Sequence, residues 1–415
     1  MIRGGVLGYT AAKIVPGVLT FAAIPVVISV IGEAQYAVLS VATALTLFTT
    51  AIGVGWLRNS ALRAAGDPSR AMGLLPRWAM TTAVLAPAVP VVVCLSAIGG
   101  GLAGAGAPAV LVTAALFGVA TGVYSLFATR AQRDLRAGRF AFGESIRAGA
   151  GLLAALALCM ATPLTGAAGV LAGNAAGTLL AAAVLAGPVR PRWVRPPHPV
   201  GPDVLRSYWS YGWPMSLWLA ASVGLLYVDR LVLGLLLEAE IAGRYAATAD
   251  LIVRGTAMLA MPISMMAHPI LMIEWNGDQP GRALATLRSY TRVLCALLAC
   301  CVAGVTVLGP WLLPRLVPGS NPGRGLLLML AVGAALWQCA LLTQKPLEMS
   351  GRSRPMLCLL LLAAAVTVGL DAAIVPVLGA SGAAVAFASG AACYTAGCAV
   401  MGGRDMAAVV ASGRA

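Results

Sequence analysis

Residues 293–313, VLCALLACCVAGVTVLGPWLL, form an apolar run that contains no charged side chain. A helix of about 20 such residues crosses the hydrocarbon core of a bilayer. Similar runs recur along the chain and predict about twelve spans, at approximately 5–31, 36–57, 77–99, 107–129, 143–162, 166–187, 208–237, 242–270, 289–313, 324–344, 355–375 and 380–402. The runs are continuously apolar and do not alternate, which favours helices over a membrane β-barrel. The sequence therefore predicts an all-α integral membrane protein.

The composition argues against soluble classes of protein. Of the 415 residues, 60% are hydrophobic and 10% are charged, whereas a soluble domain carries about 25% charged residues. The formal net charge of +14 could suit nucleic acid, but the basic residues concentrate in alternate loops, such as 130–139 and 190–206. This distribution follows the positive-inside rule. It predicts a protein of the cytoplasmic membrane with both termini in the cytoplasm. The basic loops are expected to attract anionic membrane lipids, and no nucleic-acid partner is predicted.

No pattern for catalysis or metal binding is apparent in the sequence. The nine cysteines lie in apolar segments without zinc or redox spacing, and the two histidines are far apart. We find no phosphate-binding Gly-Lys-Ser/Thr loop, no paired carboxylates outside the spans and no His-based triad, so we predict no enzyme activity, no metal and no cofactor. The apolar run after Arg3 has the length of a span and is interpreted as a signal anchor.

The chain contains an internal repeat. Tyr36 begins the second span and Tyr245 begins the eighth, and Gly166 and Gly379 open the sixth and the twelfth, each pair separated by about 210 positions. Six spans per repeat is an even number, which predicts a parallel repeat. The predicted domains are a six-helix lobe at 1–187, a Pro/Arg-rich cytoplasmic linker at 188–207 and a second six-helix lobe with a short tail at 208–415. Two like lobes around a central cavity are typical of a transporter that alternates between inward-open and outward-open states.

Few ionisable residues lie inside the predicted spans, where they are costly and commonly functional. They include Lys13 in the first span, Asp229 and Arg230 in the seventh, and Asp250 and Arg254 in the eighth. Cations on a cavity wall attract an anionic headgroup, and arginine matches phosphate oxygens in bidentate fashion. We therefore predict Lys13, Arg230 and Arg254 as substrate-binding residues. Asp229 and Asp250 are predicted to hold a coupling Na⁺ or H⁺.

Structural interpretations of the same charges remain open. Asp250 and Arg254 are four residues apart and could neutralise each other on one helix face. Asp229 and Arg230 are adjacent, so they are expected to point to different faces and not to pair well. Asp371, in the eleventh span, could reach the outer interface.

Two other sites have interpretations that do not involve transport. Lys13 could extend its amine to the cytoplasmic interface. Glu144 and Arg147, at the inner end of the fifth span, are expected to form a structural pair.

Several short motifs carry a family resemblance. They are Gly32–Tyr36, Tyr211–Pro214, Asp229–Gly234, Gly243–Ala246, Gly138–Arg139 and Gly351–Arg352. With them the chain resembles the polysaccharide flippases, the Wzx-like O-antigen and capsule translocases of the multidrug/oligosaccharidyl-lipid/polysaccharide (MOP) exporter superfamily. The resemblance implies a central cavity lined by the first two spans of each half.

The same resemblance implies a substrate and partners. The substrate is a polyprenyl-diphosphate-linked oligosaccharide, moved from the inner to the outer leaflet by alternating access for cell-surface polysaccharide biosynthesis. The cationic residues Lys13, Arg230 and Arg254 would contact its diphosphate or acidic sugars. A polysaccharide polymerase and glycosyltransferases would be further partners.

Two other functions stay open at this point. A cation-coupled multidrug exporter of the same superfamily would use Asp229, Asp250 or Asp371 as its ion site. The cations at Lys13, Arg230 and Arg254 disfavour it, because they would repel cationic drugs. A non-transporting scaffold of an envelope-assembly complex is the third interpretation.

Overall fold

The computed structural model describes residues 2–63, 77–102, 107–134, 136–187, 202–277 and 279–411. This part of the chain forms fourteen α-helices and no strand. They are α1 (Ile2–Ile31), α2 (Glu33–Arg63), α3 (Arg77–Leu85), α4 (Ala88–Leu102), α5 (Ala107–Arg133), α6 (Ala137–Ala161), α7 (Gly166–Ala186), α8 (Pro202–Leu236), α9 (Ala239–Asn276), α10 (Pro280–Leu316), α11 (Arg324–Thr343), α12 (Lys345–Met349), α13 (Ser353–Leu378) and α14 (Ala380–Ala411). The prediction of an all-α membrane protein is confirmed.

The helices follow the apolar runs of the sequence. Eleven helical segments of the described residues are long and apolar enough to cross a membrane, one of them made up of α3 and α4 together, and Val15–Ile31 adds a shorter apolar stretch. The predicted third span is divided into α3 and α4 at Pro87, because proline lacks an N–H and restricts the residue before it. The short helix α12 was not predicted.

The chain divides into two compact units, Met1–Gly224 and Leu225–Ala415, and the division falls within α8. In the first unit the beginning of α8 is held to α2, where the Ser60 hydroxyl donates to the Tyr208 carbonyl at 2.6 Å. Of the linker predicted at 188–207, residues 188–201 lie outside the described residues, and 202–207 form the first turns of α8, which begins at Pro202. The lobe boundaries at 187 and 208 stay a prediction.

Small residues allow α6 and α7 to touch backbone to backbone in the first unit. A Cβ added to Gly173 would overlap the backbone of Ala155, and one added to Gly177 would overlap the backbone of Gly151. Close approach of this kind through small residues four apart is a common way to pack helices in a bilayer. The pair of helices therefore depends on the absence of side chains at these glycines.

The two glycines aligned by the sequence repeat share an unusual backbone conformation. Gly166 has φ 65° at the start of α7, and Gly379 has φ 57° just before α14. Positive φ values favour glycine because it has no Cβ. In the first unit the Gln35 side chain packs against this turn and accepts a hydrogen bond from the Ala167 amide at 3.1 Å.

The expected pair of Glu144 and Arg147 on α6 is confirmed. Arg147 Nη2 lies 3.2 Å from Glu144 Oε2, and the Tyr124 hydroxyl of α5 donates to Glu144 Oε1 at 2.8 Å. The pair therefore joins α5 to α6 within the first unit.

Candidate functional site

The candidate site is a cluster of charged side chains on α8 and α9, within the second unit. These helices are joined by the short connection Leu237–Glu238. Asp229 and Arg230 on α8 thereby face Asp250 on α9. All three are almost fully buried, with exposed fractions of 2%, 3% and 5%. Buried charges need partners, and the cluster supplies them from its own members.

Arg230 is the centre of this charge cluster. Its Nη2 donates to Asp250 Oδ1 at 2.7 Å, and its Nη1 lies 3.4 Å from Asp229 Oδ1. Nη1 also donates to the Leu226 carbonyl one turn back along α8. The guanidinium carbon lies 4.3 Å from the centroid of the Tyr227 ring, a distance at which a cation is attracted to the ring. Arg230 thus bridges two carboxylates on two helices.

Both oxygens of Asp229 are occupied. Oδ2 accepts a hydrogen bond from the Tyr245 hydroxyl of α9 at 2.6 Å. Oδ1 accepts one from the backbone N–H of Arg230 at 2.8 Å, in addition to its contact with the guanidinium. The adjacent Asp229 and Arg230 do touch, at 3.4 Å, but each makes its shorter side-chain contact with another residue, Asp229 with Tyr245 and Arg230 with Asp250, as expected of a pair that fits poorly.

Arg254 lies one turn along α9 from Asp250. Its Nη2 is 3.5 Å from Asp250 Oδ2, so the expected contact between these two residues is confirmed. The Arg254 side chain is 35% exposed, in contrast with the buried Arg230. One oxygen of Asp250 therefore contacts the buried guanidinium of Arg230, and the other contacts the more accessible guanidinium of Arg254.

Asp371 on α13 belongs to the same region of the second unit. Its charge lies close enough to Asp229 to interact with it. The side chain has an exposed fraction of 0%, so the suggestion that it reaches the outer interface is wrong. Neither of its carboxylate oxygens has a hydrogen-bond partner within the described residues. From the sequence, Asp371 could be identified only as an ionisable residue in a span, and the burial of its side chain could not be predicted.

The structure thus brings together four of the five predicted site residues: Asp229, Arg230, Asp250 and Arg254. Lys13 falls in α1, outside the residues whose side chains are described. Where side chains are described, no group of three or more His, Cys, Asp or Glu residues is arranged to hold a metal ion. Tyr245 is a member of the cluster that sequence reasoning missed, since it was noted only as the start of a span.

Comparison with known proteins adds a family and a fold. Residues 2–272 match the family described as "Polysaccharide biosynthesis protein", and no curated protein matches the chain. A MOP superfamily transporter from Pyrococcus furiosus, reported with a binding pocket of reverse polarity, superposes with a TM-score of 0.68 at 14% identity, covering 98% of this chain and 96% of that one. An outward-facing multidrug resistance MATE family transporter gives 0.65 at 13% identity, covering 97% and 94%. At these identities the structural likeness concerns the fold alone.

Proposed function

The chain belongs to the polysaccharide biosynthesis protein family and has the fold of MOP superfamily transporters, and from this premise we propose that it is a lipid-linked oligosaccharide flippase. The substrate would be a polyprenyl-diphosphate-linked oligosaccharide, moved across the cytoplasmic membrane by alternating access and without enzyme activity. A polysaccharide polymerase and glycosyltransferases are its proposed partners. The observation that carries the proposal is an accessible arginine, Arg254, held by a buried ion-pair network inside the membrane-spanning region.

Arg254 is the residue that we assign to the diphosphate. A guanidinium presents two parallel N–H groups to phosphate oxygens and keeps its charge in every state of the transport cycle. Contact with Asp250 restricts the side chain to one direction. Arg230 would act as a positioning residue, because it fixes Asp250 and is itself buried. Lys13 remains the cation proposed for the first half of the chain.

Coupling to a cation gradient is the second part of the proposal. Asp229 and Asp250 remain proposed coupling residues, and we add Asp371, because the first two are compensated by Arg230 whereas Asp371 has no hydrogen-bond partner among the described residues. An ionised carboxylate without a partner is costly in an apolar interior. Binding of H⁺ or Na⁺ at Asp371 would remove that cost. Because Asp371 lies beside Asp229, the bound ion would also change the electrostatic environment of the charge cluster.

Deletion of the gene is expected to cause accumulation of a polyprenyl-diphosphate-linked oligosaccharide, because the glycan is completed inside but not translocated. Mass spectrometry of the polyprenyl-linked lipids, with and without the wild-type gene in trans, measures this pool and identifies the glycan. An unchanged pool, together with loss of energy-dependent efflux of cationic dyes, would favour the multidrug exporter instead.

Arg254→Ala is expected to reduce flipping about 10- to 100-fold, because a hydrogen bond to a charged group contributes about 1.5–3 kcal/mol. Membrane insertion should be unchanged, because Arg254 is partly exposed. The assay follows a labelled lipid-linked oligosaccharide in proteoliposomes. The matched control is Arg244→Ala on the same helix, whose side chain contacts Glu240 and the Gly319 carbonyl outside the cluster. Normal flipping by Arg254→Ala would remove Arg254 from the site.

Asp371→Asn is expected to uncouple transport from the cation gradient while the protein remains folded. Asparagine has nearly the same shape and cannot carry the charge, so occupancy by H⁺ or Na⁺ no longer matters. Flipping in proteoliposomes is measured under an imposed pH gradient and, separately, under a Na⁺ gradient. The gradient that accelerates the wild type and not the variant identifies the ion. Asp203→Asn, at an exposed carboxylate near the start of α8, is the control.

A further inference from the structure

A separate feature of the second unit is a cavity of about 700 Å³ where α10, α11, α12 and α14 come together. Its walls are largely apolar and include Leu284, Leu287, Leu342 and Met406. Two arginines of α10, Arg288 and Arg292, also line it. The cavity therefore offers an apolar interior beside two positive charges.

A second cavity of about 500 Å³ follows directly along the same two helices. It is lined by seven residues between 295 and 307 of α10 and five between 328 and 339 of α11, none of which is charged. On α10 the lining residues of both cavities recur every three or four positions, so they occupy one helix face. From Leu284 to Val307 the face extends about 34 Å, similar to the hydrocarbon thickness of about 30 Å. We call the two cavities together the α10–α11 groove.

The charges of the groove lie at one end. Arg288 and Arg292 are four residues apart, hence on one face of α10, and both are exposed. Neither forms a hydrogen bond or an ion pair within the described residues, and no acidic residue lines either cavity. Arg282 precedes them on α10, Lys345 precedes Pro346 of the cavity lining, and the positive-inside rule predicts that this end faces the cytoplasm. Basic pockets between membrane helices on the cytoplasmic side are suited to anionic lipid headgroups.

We propose that the α10–α11 groove binds an anionic phospholipid of the surrounding bilayer. Its phosphate oxygens accept hydrogen bonds from Arg288 and Arg292, and an acyl chain lies in the apolar groove. Val307, which lines the second cavity, is 68% exposed, so the groove is accessible from the lipid phase. Bulk anionic lipid is present at high concentration, and mass action keeps even a site of moderate affinity occupied. This inference does not depend on the proposed transport substrate.

Two glycines of α14 provide space in the first cavity. Gly402 and Gly403 both line it, and a Cβ at Gly403 would meet no atom within 4 Å. A lipid chain in this space would contact α10, α11 and α14 at once. Bound phospholipid is therefore expected to raise the unfolding temperature of the protein, because it binds the folded state only.

The test compares phosphatidylglycerol with phosphatidylcholine on the purified full-length protein in detergent. Native mass spectrometry counts bound lipid, and a thermal melt follows stability. The wild type is expected to retain phosphatidylglycerol and to melt at a higher temperature with it, with little response to phosphatidylcholine. The double variant Arg288→Gln/Arg292→Gln should bind phosphatidylglycerol about 30-fold more weakly. Arg282→Gln, an exposed arginine of the same helix outside the cavity lining, is the matched control.

A second variant tests the apolar part of the groove. Gly403→Leu leaves the arginines in place and fills the cavity, so it should also weaken phosphatidylglycerol binding while the unliganded protein melts normally. Equal binding of phosphatidylglycerol to the wild type and both variants would overturn the proposal, as would equal responses to the two phospholipids. Displacement of phosphatidylglycerol by an equimolar polyprenyl phosphate would assign the groove to that lipid and overturn the proposed occupant.

Discussion

Arg230→Met is expected to abolish transport and to lower the free energy of unfolding by about 3–5 kcal/mol. Arg230 is 3% exposed and contacts the carboxylates of Asp229 and Asp250. Methionine fills a similar volume but leaves both carboxylates in an apolar interior without their shared cation. Breaking a buried ion pair by removing one partner is costly for this reason. Thermal unfolding in detergent and flipping in proteoliposomes measure the two effects.

Two further variants separate stability from transport. Arg230→Lys retains the charge and loses the planar fork that reaches two carboxylates, so an intermediate loss of stability is expected. Arg230→Met combined with Asp229→Asn and Asp250→Asn removes all three charges, and stability should recover because no uncompensated charge remains. Transport should stay low, since Asp250 no longer positions Arg254. A wild-type melting temperature for Arg230→Met alone would show that the network does not hold α8 to α9.

The helices could be predicted because a bilayer imposes a simple rule on the sequence. A run such as 293–313 has to cross the hydrocarbon core, and it forms the central part of α10. The ends of α10 at Pro280 and Leu316 could not be predicted in this way. Before the predicted span at 289–313 the helix already contains polar residues such as Arg282 and Arg288, which hydropathy assigns to a loop.

Within the charge cluster, only the contacts between residues of the same helix could be predicted from the sequence. The contact of Arg254 with Asp250 follows from a spacing of four residues. The contacts of Arg230 with Asp250 and of Tyr245 with Asp229 cross from one helix to another. They depend on how α8 and α9 are rotated about their axes, which spacing along one helix does not determine. The depth of Asp371 depends in the same way on the packing around α13.

Gly177→Leu is expected to prevent stable folding of the first unit, and Gly173→Leu should have the same effect. At both positions the first atom of a side chain would overlap the backbone of α6, at Gly151 or Ala155. A backbone cannot change rotamer to make room, so the helices must separate and lose their packing along the whole interface. Overpacking of a core that can relax costs about 1–3 kcal/mol, and a backbone clash exceeds this range.

Gly369→Leu is the control for these two variants, since a Cβ at Gly369 in the middle of α13 would meet no atom within 4 Å. The measurement is the amount of monodisperse protein after membrane extraction and size-exclusion chromatography. We expect close to wild-type yield for Gly369→Leu and almost none for Gly173→Leu or Gly177→Leu. Good yield of all three would mean that α6 and α7 are not held by direct backbone contact. Apolar side chains gain little by leaving lipid for another helix, so close contact through small residues is what remains to hold two such helices together.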